Sequence, residues 1–172
     1  MTPDPSRSPG PPRTLVVGLG SKDRGDDAAG PLVASLVHDA VAALGATNVH
    51  VVEHEDPTSL VDLMVGFDLV VIADAVRSGA AAGTVSLHEA GRSEAALPSS
   101  TDPGPSGTHG LGLAAALEPA RALDRLPDRV VVVGVEAVDF EHGHAPSDAV
   151  ADGVTTAVHV ILDILRPTTP RP

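Results

Sequence analysis

Apolar residues along this chain fall into two rhythms: short unbroken runs, and longer stretches with helical spacing. Thr14 to Leu19 (TLVVGL) is an unbroken run closed by Gly20, the pattern of a buried strand. Val33, Leu36, Val37, Ala40 and Leu44 then recur at helical spacing. Asp26 and Asp27 fall where that helix begins, a place where the helix dipole favours carboxylates. Pro31 is tolerable there only in the first turn. Asn48 to Glu53 predicts a second strand and Thr58 to Val65 a short helix. Leu69 to Ala73 (LVVIA) predicts a third strand, apolar enough to be central. Gly83 to His88 alternates between glycines and predicts an edge strand. Gly91 to Gly107 is a low-complexity run of Ser, Pro, Gly and Ala, expected to be a mobile loop of functional use. A helix from about His109 carries Leu113, Ala116, Leu117 and Ala120 on one face, with Pro119 expected to kink or split it. Arg129 to Val135 predicts another buried strand. A last helix lines up Val154, Ala157, Val158, Ile161, Leu162 and Leu165.

Strands that alternate with helices predict an α/β fold: a mostly parallel twisted sheet with helices on both faces, in three layers, with one antiparallel edge strand. Residues 1–12 are expected to be a disordered arm and 167–172 a disordered tail, leaving 13–166 as a single domain. In such a sheet the working crevice lies beyond the carboxyl ends of the strands.

Composition narrows what that crevice does. Hydrophobic residues make up 42% of the chain and aromatics 1%, so Val, Leu, Ile and Ala must fill the core. The formal net charge of -12 argues against nucleic acid and against an anionic membrane surface as partners. A cationic ligand or a basic partner is easier to accommodate. There is no Cys, which excludes disulfides, thiol nucleophiles and Cys-based metal sites, so a metal must be held by His and carboxylates. No apolar stretch approaches the ~20 residues of a spanning helix. The opening MTPDPSRSPGPPR lacks the apolar core of a secretory signal, so a cytoplasmic location is expected.

The first strand runs into Gly18-Leu19-Gly20-Ser21-Lys22-Asp23-Arg24-Gly25-Asp26-Asp27. A dinucleotide-binding turn would need glycine where Asp23 stands, and the two carboxylates that follow would repel a pyrophosphate. Asp26 and Asp27 can cap the helix, and one can cap while the other faces the crevice. Asp74 follows the third apolar run at the same edge; the plain alternative is a turn residue bonding its own backbone. His109 lies where the long loop meets the next helix, with Thr108 placed to cap it. Asp27, Asp74 and His109 together offer two carboxylates and one imidazole, a set suited to a divalent first-row metal with positions left open. His142 and His144 form a second cluster, in a stretch that Gly143 and Pro146 mark as a solvated loop. No HExxH pair exists, since His54-Glu55 and His88-Glu89 lack the second His, and no GxSxG elbow is present.

With these residues in view, the sequence resembles the hydrogenase maturation proteases, the family that trims the large subunit of NiFe hydrogenases. LVVGLGSKDRGDDAAGP is similar to that family's opening strand, loop and double-acid helix start. DLVVIADAVRSGAAAGTV is similar to its central strand, Asp-Ala turn and edge strand. Thr108-His109-Gly110-Leu111 is similar to its His-bearing helix start, and VVVVGVEAVDFEHGHAPSDAV to its last strand and final helix start. The resemblance runs from about Thr14 to Leu165 and implies a phosphorylase/hydrolase-like α/β fold. It implies that Asp27, Asp74 and His109 are both the metal contacts and the catalytic set. The chain departs from the family pattern at Ser21, at Glu53-His54-Glu55-Asp56-Pro57, at Arg77 and at Glu136-Ala137. Glu55 and Asp56 are extra acids that could tune recognition of a basic tail.

The resemblance further implies a nickel ion contributed by the substrate, a large-subunit precursor whose C-terminal extension is removed after nickel insertion. No organic cofactor is expected, and monomeric action is the default. Two routes of attack stay open, a metal-polarised carbonyl and a metal-activated water, with Asp26 or an acid of the triad as general base. Loop 91–107 would close over the substrate and position His109. Two other readings remain: a binding module that senses or carries nickel without cutting, and a peptidase of the same fold acting on another protein.

Overall fold

The computed structural model describes residues 11–91 and 108–166, with the backbone alone at 108–112, 114 and 115. The expected tail lies outside the described residues, as do nearly all of the expected arm and of loop 91–107. Five strands form one sheet: β1 (Thr14–Leu19), β2 (Val49–His54), β3 (Leu69–Val76), β4 (Val85–Glu89) and β5 (Arg129–Glu136). Their order is β2-β1-β3-β5-β4. The pairs β1–β2, β1–β3 and β3–β5 are parallel, and β4 closes the edge antiparallel to β5. The helices are α1 (Ala29–Ala43), α2 (Leu60–Leu63), α3 (Thr108–Ala122) and α4 (Asp148–Leu165). Among the described residues no helix is long and apolar enough to cross a membrane.

Side chains alternate across the central strands and feed two cores. Val16, Val71, Ala73, Val131 and Val133 face α1 and α4, and pack with Val33, Val37, Val154, Ala157 and Ile161. Leu15, Val17, Val70, Ile72, Val130 and Val132 face the other way and pack with Leu60, Met64, Leu113, Leu117 and Ala120. Because both faces are covered, these strands read as continuous apolar runs rather than as alternating ones. The chain leaves β1 through α1 on one face to reach β2, and returns through α2 on the other face to β3. The space between the ends of β1 and β3 is therefore a topological switch point.

Four local expectations are corrected. Strand β3 does not stop at Ala73: Asp74, Ala75 and Val76 continue its pairing with Gly134, Val135 and Glu136. Backbone pairing is indifferent to the polar side chain that ends the apolar run. Leu36 in α1 and Leu44 just after it are exposed, while Ala34 and Val41 turn inward; close packing against β1 selects small side chains there. The helix expected at 58–65 is a 3₁₀ turn (Pro57–Ser59) followed by the single turn of α2, with Asp56 capping the former through the Thr58 N–H (2.9 Å). Helix α3 is not split at Pro119, which sits inside it on the exposed side while Leu117 and Ala120 anchor it to the core.

Candidate active site

Asp27 is carried by a 3₁₀ turn, Gly25–Ala28, that runs directly into α1. Three glycines let this segment sit on the sheet with no side-chain spacing between backbones. A Cβ at Gly18 would lie 2.3 Å from the Gly30 carbonyl oxygen, and one at Gly30 would lie 2.0 Å from that of Leu19 and 2.6 Å from that of Ala73. Gly20, at φ +127°, turns the chain back at the end of β1, where a Cβ would meet the Asp27 carbonyl oxygen at 2.1 Å. The first turn of α1 is thus wedged across the ends of β1 and β3. Asp27 is fully buried by this arrangement, and the Ser21 N–H donates to its Oδ2 at 3.0 Å.

Asp74 stands in β3 on the face that Val70 and Ile72 share, and is also fully buried. Neither of its carboxylate oxygens has a hydrogen-bond partner among the described residues. Burial pushes its pKa well above the usual carboxylate range, and the charge of Asp27 pushes it further. The nearby Ala75 N–H, which falls short of hydrogen-bond geometry, offsets only part of this. The charge of Asp27 thus bears on Asp74 at the switch point, and since Asp74 is paired within β3 the reading of it as a turn residue does not hold.

His109 is the second residue of α3. Near the other end of this helix Arg121 donates to the Gly91 carbonyl oxygen (3.4 Å), beside the start of β5. The helix thus runs back along the sheet, and its first turn lies toward the carboxyl-terminal edge. Its buried residues belong to the core on the face of Ile72, and so on the face of Asp74. The His109 side chain lies outside the described residues. Among the described residues, no three His, Cys, Asp or Glu side chains gather closely enough to hold a metal ion.

Asp26 works differently from its neighbour. It is fully buried, and its Oδ2 accepts from the Val138 and Asp139 N–H groups (both 2.9 Å) while Oδ1 accepts from Ser147 N–H (2.7 Å). Burial acts to raise its pKa, but the N–H groups of Asp139, Ser147 and Val138 outweigh it and hold the carboxyl below its ordinary value. Asp26 ties the start of α1 to the loop before α4, and its oxygens are committed to that clamp rather than free to act as a base.

Sequence reasoning also missed Glu136. This acid is 3% exposed, and its carboxylate accepts from the Ser78 N–H (2.8 and 3.0 Å), the Ser78 hydroxyl (2.7 Å) and the Gly79 N–H (2.8 Å). It pins the turn that leaves β3 two residues beyond Val76. The one sequence signal for this was an acid closing an apolar strand. His144 pairs through Nδ1 with Asp139 Oδ2 (2.8 Å), which raises its pKa, and Glu141 lies 3.6 Å from its Nε2. His142 and His144 are both exposed, and among the described residues they belong to no metal-holding group.

Chemically, the site is a buried pair of carboxylates. Buried polar atoms are normally hydrogen-bonded, and an orphaned carboxylate beside another acid is costly unless a cation or a proton completes it. The donor set fits a divalent cation: two hard oxygens from opposite sides of the switch point, with an imidazole-bearing helix start at the same edge.

The family model for hydrogenase maturation protease (HycI) matches residues 46–164. That stretch contains Asp74 and His109, and begins after Asp27. No curated protein matches the chain. Among solved structures, the hydrogenase maturating endopeptidase HybD from E. coli superposes with a TM-score of 0.69 at 22% identity, covering 89% of this chain and 91% of that one. An endopeptidase from Escherichia coli gives 0.71 at 23% identity, covering 90% and 92%. The NiFe hydrogenase maturation protease HycI from Thermococcus kodakarensis gives 0.67 at 26% identity, covering 89% and 92%. The five-stranded sheet with its antiparallel edge is the fold these structures share with the chain. On the extent of the family match, the chain belongs to the hydrogenase maturation protease family and is a peptidase.

Proposed function

We propose that this peptidase removes a C-terminal extension from a NiFe hydrogenase large-subunit precursor after nickel has been inserted, and that it recognises the metal through Asp27, Asp74 and His109. One observation carries the reading: both oxygens of Asp74 are buried without a hydrogen-bond partner among the described residues, next to the charge of Asp27. A dication held by the substrate gives those oxygens a partner that the described residues do not. Asp27 would contribute a carboxylate oxygen already oriented by the Ser21 N–H, and His109 an imidazole nitrogen from the first turn of α3.

On this reading nickel is part of the substrate and not a resident cofactor. A precursor without nickel leaves the two carboxylates repelling each other, whereas a filled one relieves that repulsion. Discrimination then rests on a free-energy difference between filled and empty substrate at one place, a form of specificity that binding to the rest of the precursor cannot imitate.

The test is a processing assay on purified precursor, with and without nickel, using wild-type protein and Asp27→Asn, Asp74→Asn and His109→Ala variants. Cleavage of the loaded precursor by the wild type alone is the expected result. Processing retained by all three variants would remove the proposed recognition. Nickel binding without any cleavage would favour a carrier module instead.

A further inference from the structure

In a chain with 23 acidic and 11 basic residues, a cation without a carboxylate partner is conspicuous. Three basic residues of the described chain lie at the carboxyl-terminal edge of the sheet: Lys22, Arg24 and Arg77. Lys22 is paired with Glu53. Arg24 has its Nε buried. Arg77 follows Asp74 by three residues, is half-buried, and makes no ion pair among the described residues.

Two contacts hold Arg77 in place. Its Nη2 donates to the Val138 carbonyl oxygen at 3.0 Å, and its Cζ lies 4.7 Å from the centre of the Phe140 ring. The backbone beneath it is fixed as well, because Glu136 pins Ser78 and Gly79. A guanidinium offers five N–H donors in one plane, and among the described residues these contacts use one of them. The stacked ring and the rigid turn have already taken up the side-chain entropy that an arginine loses on binding. Val138, an apolar residue 57% exposed, lies beside it. This is a preorganised fork for a planar anion next to a small apolar surface, and the anion an unmodified polypeptide supplies is a carboxylate.

We infer that Arg77 is a specificity-determining residue that takes a carboxylate of the substrate chain at the same carboxyl-terminal edge of the sheet as Asp27 and Asp74, on the side where Phe140 packs against the α1–α4 core. The inference rests on the proposed peptidase reading, since it concerns the same substrate. The carboxylate has two possible sources, an acidic side chain near the cleaved bond or the terminus of the extension, and both are met by the same fork.

The experiment is steady-state processing of nickel-loaded precursor by wild type, Arg77→Met, Arg77→Lys and Arg77→Glu. Substrate forms are the native one, forms with each acid near the junction changed to Lys, and one whose terminal carboxylate is displaced by appended Gly-Ser residues. Arg77→Met is expected to raise KM about 10-fold with kcat nearly unchanged, the sign of lost uniform binding. Arg77→Lys should recover part of this. Arg77→Glu should be worse than Met on native substrate, and should be rescued by one acid-to-Lys substrate if a side chain is the partner. If the terminus is the partner, the appended form should raise KM for wild type and leave Arg77→Met unaffected. Active wild type together with unchanged KM in Arg77→Met and Arg77→Glu overturns the inference and leaves the peptidase reading standing. Inactive wild type on loaded precursor overturns both.

Discussion

Gly18 and Gly30 meet face to face: a Cβ on Gly18 would lie 2.3 Å from the Gly30 carbonyl oxygen. This contact seats the first turn of α1 on the sheet and so brings Asp27 to the end of β3. A methyl group at Gly30 would have to push aside the backbone oxygens of Leu19 and Ala73, which are rigid parts of two central strands. Gly30→Ala is therefore expected to destabilise by roughly 3 kcal/mol or more, beyond the usual cost of overpacking, and to abolish processing. Gly45→Ala, at a glycine whose Cβ would meet nothing within 4 Å, is the control for added bulk alone; its positive φ should limit the cost to about 1 kcal/mol. Urea unfolding of the two variants checks the contrast, and equal losses would contradict it.

Asp74→Asn should make the protein more stable and less active at once. The native carboxyl is held above its ordinary pKa by burial and by Asp27, so the folded state binds a proton more tightly than the unfolded chain does. Stability contributed by this group is then lost as pH rises from the unfolded value near 3.9 up through the folded value. Replacing the acid with an amide removes that penalty. The expected gain at neutral pH, without metal, is about 1 kcal/mol, or roughly 2–4 °C in Tm, and it should vanish below about pH 4. Processing of loaded precursor should fall by at least about 10-fold, since removing even an outer partner of a metal ligand typically costs roughly 10–100-fold. A thermal-melt series over pH, paired with the cleavage assay, tests both halves.

Much of this arrangement was legible in the chain. The apolar runs at Thr14–Leu19 and Arg129–Val135 located β1 and nearly all of β5, because strands covered on both faces must be apolar at every position. That Asp27 and Asp74 come to one edge was legible from parallel topology, although Asp74 stands inside β3 and Asp27 in the turn before α1 rather than at strand ends. The roles of Asp26 and Glu136 were not legible. Each acts on backbone N–H groups that are remote in sequence, 112 to 121 residues away for Asp26 and 57 or 58 for Glu136. Such bonds leave no local pattern. The end of β3 was misplaced for a related reason: hydrogen bonding to β5 carries the strand past the point where apolar residues stop.

Asp26 should show the opposite pH dependence from Asp74. Its three backbone bonds hold the carboxyl below its ordinary pKa against the effect of burial, so its contribution is present above the unfolded value and is lost as pH falls through the lower, folded one. Asp26→Ala leaves three N–H groups, those of Val138, Asp139 and Ser147, without their acceptor. A loss of about 3 kcal/mol is expected at neutral pH, in the range for hydrogen bonds to a charged group. The difference from wild type should shrink below about pH 4. Melts at matched ionic strength would reveal it, and a difference that grows on acidification would contradict the clamp.

Glu136→Ala is expected to act locally before it acts globally. Its carboxylate is the acceptor for two consecutive backbone N–H groups, Ser78 and Gly79, in a turn that no helix or strand otherwise holds. The strand itself keeps its register, since Val76 and Glu136 are paired through backbone. Amide exchange at Ser78 and Gly79 should therefore accelerate by at least about 10-fold while Val71 and Val131, in the middle of the sheet, keep their protection relative to global unfolding. Global stability should fall by about 2 kcal/mol from the emptied acceptor site. Because Arg77 stands directly before this turn, KM for loaded precursor should rise in the same direction as in Arg77→Met. Combining the two substitutions should then give less than the product of their separate effects, since residues acting through one contact are not additive. A full multiplicative loss would separate the turn from Arg77 and leave Glu136 with a purely structural part.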